Sequence, residues 1–417
     1  MAGVPRRFEI RCPVHGFIAL SAWEREIIAQ PSFQRLRRIR QLGWTDQVYP
    51  GAMHTRFEHS LGVMHVATRM YDAIVSHSGD LLREELNYDD AGLARDRIRV
   101  RLAALLHDVG HAPFSHAAEE LLPVGPDGSR FAHEDYSAAV IRLKLRTAIE
   151  DHPENQNYGF RADDVADLLE GRSTAGRSLF WRPLITGQMD ADRLDYLLRD
   201  SLHCGVAYGQ FDWLRLVHSL RVVRTSEDLR LGVEEGGFHA AESLILARYF
   251  MFTQVYLHKT RVAFDHHLQE ALVAILPDGR FPAPVEESLG NYLNWDDWRV
   301  LGILADGQAG EHGNCLRQRE HVREVYHTPE TPTPHDLEKF DEAKKRLREW
   351  APYEVNAEKS WYKVGETDIP VAAGTPGAEV RPLSQYSSVI ASMKPIGKRM
   401  LFVGAEHAQA ARARMKP

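Results

Sequence analysis

The chain has 417 residues, 44% hydrophobic and 26% charged, and a formal net charge of −7 from 51 Lys and Arg against 58 Asp and Glu. This is the composition of a soluble globular protein with a sizeable core, in one large domain with an appended lobe or in two domains. The acidic balance argues against a sequence-independent grip on nucleic acid, which needs a basic face, although a basic pocket stays compatible with it.

Three scattered cysteines (Cys12, Cys204 and Cys315) show no CxxC spacing. They argue against a disulfide framework or a cysteine-held zinc and fit a reducing cytoplasm. No run of 18 apolar residues occurs, and the stretch MAGVPRRFEIRCP lacks the apolar segment of a secretory leader, so neither a membrane span nor a signal peptide is expected.

In chain order the pattern is mostly helical. SAWEREIIAQPSFQRLRRIRQLG predicts a helix started by Ser21, a break at Pro31 and a second helix stopped by Gly43. In HTRFEHSLGVMHVATRMYDAIV, residues His59, Val63, Val66 and Met70 fall on one helical face. DRIRVRLAALLHD repeats the pattern at Leu102, Leu105 and Leu106, with Gly110 as the stop. ADDVADLLEG and MDADRLDYLLRDSL read as further helices, and LRVVRTSEDLRLGVEE alternates around a polar turn like a β-hairpin. One long helix is expected from Phe238 to Leu276.

The character changes from about residue 276. Pro, Gly and Asn punctuate the chain, TPETPTPHDLEKFDEAKKRLREW contains a charged helix, and KSWYKVG, DIPVAA and VRPLS read as short strands. The expected organisation is a mainly α core over residues 1–275, with a small hairpin, and an α+β lobe over 276–417. The lobe carries no chemical motif, and oligomer contact is its default role.

Histidines and aspartates carry the chemical signal. LLHDVGHAPFSH packs His107, Asp108, His111 and His116 into twelve positions. His107 and Asp108 are adjacent near a helix end, so their side chains diverge by about 100°, yet both reach one ion if that end faces a cavity. His59 lies on an apolar face, where a buried imidazole needs partners for its ring nitrogens. Asp192 leads a face that continues through Asp195, Tyr196, Arg199 and Asp200, and a solvated, salt-bridged helix face would read the same way. Together, His59, His107, Asp108 and Asp192 offer two imidazoles and two carboxylates from three helices. Without a thiolate, this set suits manganese, iron, magnesium or zinc in a site that leaves positions for water and a phosphate oxygen.

The stretches FQRLRRIRQLG, YPGAMHTRFEHSLG, HDVGHAPFSH and DADRLDYLLRDS together resemble the successive signatures of HD-domain phosphohydrolases, in particular the deoxynucleoside triphosphate triphosphohydrolase branch, over about residues 33–265. The resemblance implies a helical HD-domain core and a divalent ion held by His59, His107, Asp108 and Asp192. It also implies proton transfer by His111 and His116 with Glu119, supported by His133 and Glu134. Glu119 stands where the family more often has aspartate.

For the substrate, the resemblance implies phosphate contacts from Arg56, Arg193 and Arg248, and packing of Gln41 and Leu42 against the deoxyribose. Tyr196 and Asp200 would take the 3′-hydroxyl, while Tyr256, His258 and Lys259 continue the site along the long helix. Deoxynucleoside triphosphates are then the expected partners, and a homo-oligomer the expected assembly. A metal phosphodiesterase or nuclease, and a nucleotide sensor without turnover, are the alternatives. Ala29 replaces the acidic purine-reading residue of regulated members, so nucleotide control is not implied.

Overall fold

An antiparallel hairpin opens the described chain: β1 (Phe8–Cys12) pairs with β2 (Gly16–Leu20) from Phe8↔Leu20 to Cys12↔Gly16. A computed structural model describes residues 8–225, 228–359, 368–373 and 379–415. Ser21 then starts α1 (Ala22–Ala29) with a capping box. Its hydroxyl accepts from the Glu24 N–H at 3.0 Å, and the Glu24 carboxylate accepts from the Ser21 N–H at 2.9 Å.

The second expected helix does not form. Pro31 begins only the single turn α2 (Pro31–Gln34), followed by a 3₁₀ turn over Arg35–Arg38. Ile39 is extended, and the backbone turns outward to pair with a neighbouring segment. The Gln41 N–H donates to His54 O at 3.0 Å and the Arg56 N–H to Ile39 O at 2.9 Å. Gly43 does not stop a helix but opens a 3₁₀ turn at φ +51°, a left-handed conformation that glycine adopts without steric cost.

The scaffold of the site is α3 (Arg56–Leu86) packed on α4 (Asp90–Leu106). Val63, Val66, Met70, Leu102, Leu105 and Leu106 are all buried, as their spacing predicts. Each such side chain contributes about 1.5–3 kcal/mol by leaving water. There follow α5 (His133–Lys144), α6 (Arg146–Glu150), α7 (Ala162–Glu170), α8 (Ala191–Cys204) and α9 (Trp213–Ser219). The predicted hairpin is present as β3 (Leu220–Arg224) and β4 (Leu229–Glu234), antiparallel. Ser226 and Glu227 in its turn lie outside the described residues.

The expected long helix is two helices, α10 (Phe238–Met251) and α11 (Lys259–Ile275), separated by a π turn over Phe252–Tyr256. The Leu257 N–H donates to Phe252 O at 2.8 Å, an i→i+5 bond, and the His258 ring then caps α11 by accepting from the Thr260 N–H at 3.2 Å. A π turn inserts a residue into the helical repeat. His258 is extended and ends the helical run, so His258 and Lys259 do not continue the face of α10, whereas Arg248 and Tyr256 both meet Tyr196.

Next come α12 (Glu286–Leu293), α13 (Asp297–Ala305) and α14 (Gly310–Gln318). Leu289, Tyr292, Trp295, Val300, Leu304 and Leu316 join the same core as α3 and α4. The remainder is β5 (Arg323–His327), α15 (Pro334–Arg346), β6 (Tyr353–Lys359), β7 (Pro370–Ala372), β8 (Val380–Pro382) and β9 (Ile396–Val403). Strand β9 lies between β5 and β6 in an antiparallel sheet, and β7 joins β4 in parallel to extend the earlier hairpin to the order β3-β4-β7-β8. Most of the predicted KSWYKVG strand, residues 360–365, falls outside the described residues. The architecture is mainly α with small sheets and an α+β C-terminal region, as the sequence predicts. Among the described residues no helix is long and apolar enough to cross a membrane.

Candidate metal and phosphate site

Three helices converge on one point. His59 projects from the first turns of α3, His107 and Asp108 follow the last residue of α4, and Asp192 lies in the first turn of α8. Ligand atoms of His59, His107 and Asp108 lie within 4.8 Å of one another. Asp192 Oδ1 is 3.0 Å from His59 Nε2 and 3.8 Å from His107 Nε2.

The tautomers decide what this cluster can do. His59 Nδ1–H donates to Asp195 at 2.8 Å, and His107 Nδ1–H donates to Ala104 O at 2.9 Å. Both Nε2 lone pairs then lie close to carboxylate oxygens, 3.0 Å from Asp192 for His59 and 3.4 Å from Asp108 for His107, yet neither Nε2 has a hydrogen-bond partner among the described residues. Lone pairs facing lone pairs in a buried pocket need a cation between them. Protons partly answer the need: burial opposes charge on both imidazoles, yet Asp192 and Asp195 raise His59, and Asp108 and Asp192 raise His107 well above its usual range. Against its own burial, Asp192 is held below the usual carboxylate range by His107 and His59. The set of two imidazoles and two carboxylates fits a divalent ion of the manganese, iron, magnesium or zinc kind.

Asp108 also pairs with the buried Arg56, whose Nε donates to Ser115 Oγ at 2.8 Å. Beside it lies a second cluster. Glu119 accepts from His133 at 2.6 Å and from His116 at 3.0 Å, while His111 stacks on His133 with ring centres 4.4 Å apart. The two clusters approach each other where His133 Nε2 lies 3.9 Å from Asp108 Oδ1. Burial opposes ionisation of Glu119, but the two histidines outweigh it and keep the carboxylate charged. Burial, then Arg56 and His133, pushes His111 well below its ordinary value, so this fully buried ring is neutral. His116 is different: its side chain is 62% exposed, and it lines the cavity. Glu134 is half exposed at the rim, 3.4 Å from His133.

A cavity of 230 Å³ reaches both clusters, at His107, Asp108 and Asp192 of the first and at His116 and His133 of the second. Of the residues expected at the site, Gln41, Arg56, His107, Asp108, His116, His133, Glu134, Asp192, Arg193 and Tyr196 line it. Arg248 reaches it indirectly, donating to Gln188 at 3.4 Å and lying beside Tyr196. Leu42 is buried away from the cavity. Asp200 is buried as well, taking hydrogen bonds from His54 at 2.7 Å and Tyr256 at 2.6 Å. His258 meets Tyr49 edge-on, and Lys259 is exposed beside it.

The face of α8 that could have been a solvated salt-bridged surface is instead buried: Asp195, Arg199 and Asp200 are each at most 1% exposed. Reading the sequence did not assign a role to Asp195, which orients His59, or to Asp190, which pairs with Arg193. The i→i+3 spacing from Asp192 was the available signal for Asp195.

Sequence analysis also left the segment 292–297 without a role. The Tyr292 hydroxyl donates to Gly110 O at 2.7 Å, and Arg35 bridges His111 O and Trp295 O. Asp297 accepts the N–H groups of Arg40 and Phe114, both at 2.8 Å. One carboxylate thus ties the loop carrying Gln41 to the loop carrying His111 and His116. Phe114 and Ser115 hold left-handed backbone conformations just before His116, a strain that persists only where surrounding contacts impose it. Gly110 is needed for a different reason than helix termination: a Cβ there would overlap the backbone of α5 at Tyr136 and Ser137.

Comparison with known proteins agrees with this geometry. The HD domain matches residues 56–200, and an HD-associated region matches 211–351. The chain belongs to the HD-domain phosphohydrolase family. A crystal structure of a hypothetical protein from Aquifex aeolicus shares 31% identity, with a TM-score of 0.80 over 99% of this chain and all of that one. An uncharacterized protein from Methanocaldococcus jannaschii is 32% identical over 317 residues, 76% of this chain and 58% of its own length. A deoxynucleoside triphosphate triphosphohydrolase homologue from Dictyostelium discoideum is 30% identical over 264 residues, 62% of this chain and 47% of that protein. The chain thus spans about half the length of the curated relatives it matches.

Proposed function

We propose that this HD-domain protein is a metal-dependent hydrolase that cleaves deoxynucleoside triphosphates into deoxynucleoside and inorganic triphosphate. The observation that carries the reading is the pair of unpartnered, buried Nε2 atoms of His59 and His107 aimed at Asp108 and Asp192, with the His–Glu cluster directly alongside. A divalent ion bound by these four residues supplies Lewis-acid stabilisation of charge on a phosphoryl oxygen.

The chain's own groups account for the rest. Arg56, Arg193 and Arg248 grip the phosphates, because cleavage at the α-phosphorus leaves the whole triphosphate to be held. His116, exposed to the cavity and paired with Glu119, gives a proton to the departing 5′-oxygen or takes one from water. His111, His133 and Glu134 hold and recharge that group. Gln41 packs against the 2′-carbon with the buried Leu42 behind it, Tyr196 takes the 3′-hydroxyl, and Asp200 acts behind it through Tyr256. His258 and Lys259 extend the site toward the base. We further propose that the protein works in the cytoplasm as a homo-oligomer.

The test is incubation of the purified chain with Mn²⁺ or Mg²⁺ and each dNTP and NTP, with chromatographic separation of products. Inorganic tripolyphosphate with a deoxynucleoside is the expected outcome. Mononucleotides released from a polymer would favour a phosphodiesterase or nuclease instead, and metal-bound protein without any product a nucleotide sensor.

A further inference from the structure

The N-terminal hairpin delivers one side chain to the interior. His15, in the turn between β1 and β2, has a fully buried ring whose Nε2–H donates to Asp195 Oδ1 at 2.6 Å. It stacks on His65 (ring centres 5.3 Å apart, 29° between planes) and meets Trp213 edge-on at 5.3 Å. The ring is therefore wedged between α3 and α9, and among the described residues its only polar partner is that carboxylate, since Nδ1 has none.

Asp195 is saturated. Its Oδ1 accepts from His15 and from an Arg199 terminal nitrogen at 2.8 Å, and its Oδ2 accepts from Arg199 Nε and His59 Nδ1, both at 2.8 Å. Four donors on two oxygens leave one orientation for the carboxylate plane. That orientation sets the direction of the His59 ring and, by holding the proton on Nδ1, leaves the Nε2 lone pair facing Asp108 and Asp192. Gly62 tightens the arrangement, because a Cβ there would overlap both Asp195 and Arg199.

Arg199 alone fixes the carboxylate from one edge. His15 supplies the second donor to Oδ1, and its loss leaves that buried oxygen with one partner fewer. A partner that orients a metal-ligating imidazole changes metal affinity even though it never touches the ion.

We propose that His15 is a positioning residue for the metal site, acting on His59 through Asp195, so that the N-terminal hairpin is a working part of the centre. The proposal rests on the reading of His59 as a metal ligand and not on the identity of the substrate. A residue 180 positions from Asp195 in sequence thereby joins the ligand set's support.

The test compares wild type, H15A and H15Q in the full-length chain, measuring Mn²⁺ affinity by chelator competition and metal per folded chain by native mass spectrometry. The expected result is a loss of affinity of roughly tenfold or more in H15A, with substantial recovery in H15Q, whose amide keeps an N–H donor. The imidazole ¹⁵N signals should also show the His59 tautomer losing its fixed Nδ1–H form in H15A alone. Wild-type affinity in folded H15A would overturn the proposal, and so would equal losses in H15A and H15Q. Native mass spectrometry separates folded from unfolded chains by charge state, so a lower stability of either variant does not obscure the answer. A wild-type chain that binds Mn²⁺ but hydrolyses no nucleotide would sink the proposed reaction and leave this inference standing. One that binds no Mn²⁺ would sink both.

Discussion

The two histidine clusters that share the cavity are built on opposite plans. In the first, His59, His107 and Asp108 sit on or at the ends of long helices, and each has a second bond to a fixed partner: Asp195, the Ala104 carbonyl and Arg56. In the second, His116 and Glu119 occupy a 3₁₀ turn, and the members hold mainly one another, through the Glu119 carboxylate. His59 is wholly buried, whereas the His116 side chain is 62% exposed. The difference follows from the tasks proposed for them. Ligands must converge before an ion arrives, so their directions are set by scaffold and outer hydrogen bonds. A proton carrier must meet substrate, change charge and return, which requires access to solvent and a partner that tolerates both states.

That contrast can be broken most forcefully at the ligands. Asp192→Ala, or His107→Ala with Asp108→Ala, is expected to abolish turnover and empty the site while leaving helical circular dichroism largely intact. Metal analysis of both variants checks this, and unchanged metal stoichiometry would refute it. In the other cluster, His116→Ala is expected to keep the metal but lower kcat by about 10²–10⁴-fold, the usual worth of general acid–base catalysis. If His116→Ala and His111→Ala both stay within tenfold of wild type at saturating substrate, the second cluster is structural.

These two predictions rest on residues that the sequence marks well, and the reason is local. On α3, His59, Val63, Val66 and Met70 recur at helical spacing, so the helix and its inward face can be read from neighbours a few positions apart. The His–Asp pair at the end of α4 and Asp192 at the start of α8 are legible for the same reason. What escaped was long-range or depended on backbone pairing. Ile39 is extended because its carbonyl bonds across to Arg56 and its neighbours to 54–55, and no pattern within FQRLRRIRQLG signals that bond. The π turn at Phe252–Tyr256 and the extended His258 interrupt an apolar stretch with no Pro or Gly, so nothing local signals the break between α10 and α11. Asp297 meets Phe114 across 183 positions, a contact only the folded chain discloses.

Asp297 supplies the next test, because it belongs to neither cluster yet fixes the loop that carries the second. Asp297→Asn leaves one acceptor oxygen for two N–H groups, at a cost of about 1–3 kcal/mol for the donor left unpaired. The expected effect is a fall in kcat of about tenfold, the 1.4 kcal/mol equivalent, with metal content unchanged. Metal analysis and steady-state kinetics on one preparation check both halves, and loss of metal would show that the brace serves the ligands instead.

Sugar selectivity should show an effect of comparable size. If Gln41 and Tyr196 meet the deoxyribose, ribonucleotides are turned over at least about tenfold worse than deoxynucleotides, since a hydroxyl pressed into a site without a partner costs about 1–3 kcal/mol. Comparing kcat/KM for dGTP and GTP decides it, and equal values would mean that only the triphosphate is read.

The mildest effect is on stability at low pH. Burial first, then neighbouring positive groups, lowers His65 to about 4, His267 to about 3 and His321 to about 4. A histidine whose folded value is depressed binds fewer protons in the folded state than in the unfolded state. Its stabilising contribution is therefore complete above pH about 6.5 and drains away as pH falls through the folded value. The raised His59 and His107 act in the opposite sense, so the test is comparative. From pH 6.5 to pH 4 the melting temperature of His267→Phe should fall less steeply than that of wild type, and parallel profiles would refute the depressed value.

The Asp297 carboxylate also has a consequence for how the protein comes into being. Every expected metal ligand lies before residue 193, and every histidine of the second cluster before residue 134. The group that locks their loops lies more than a hundred positions further on. A chain emerging from the ribosome exposes its ligand helices long before it exposes the clasp. A domain folds as a unit, and Leu289, Tyr292 and Val300 share one core with α3 and α4, so the ligand helices reach their final packing only once α13 is released. Completion of the site is therefore a late event in the synthesis of each molecule.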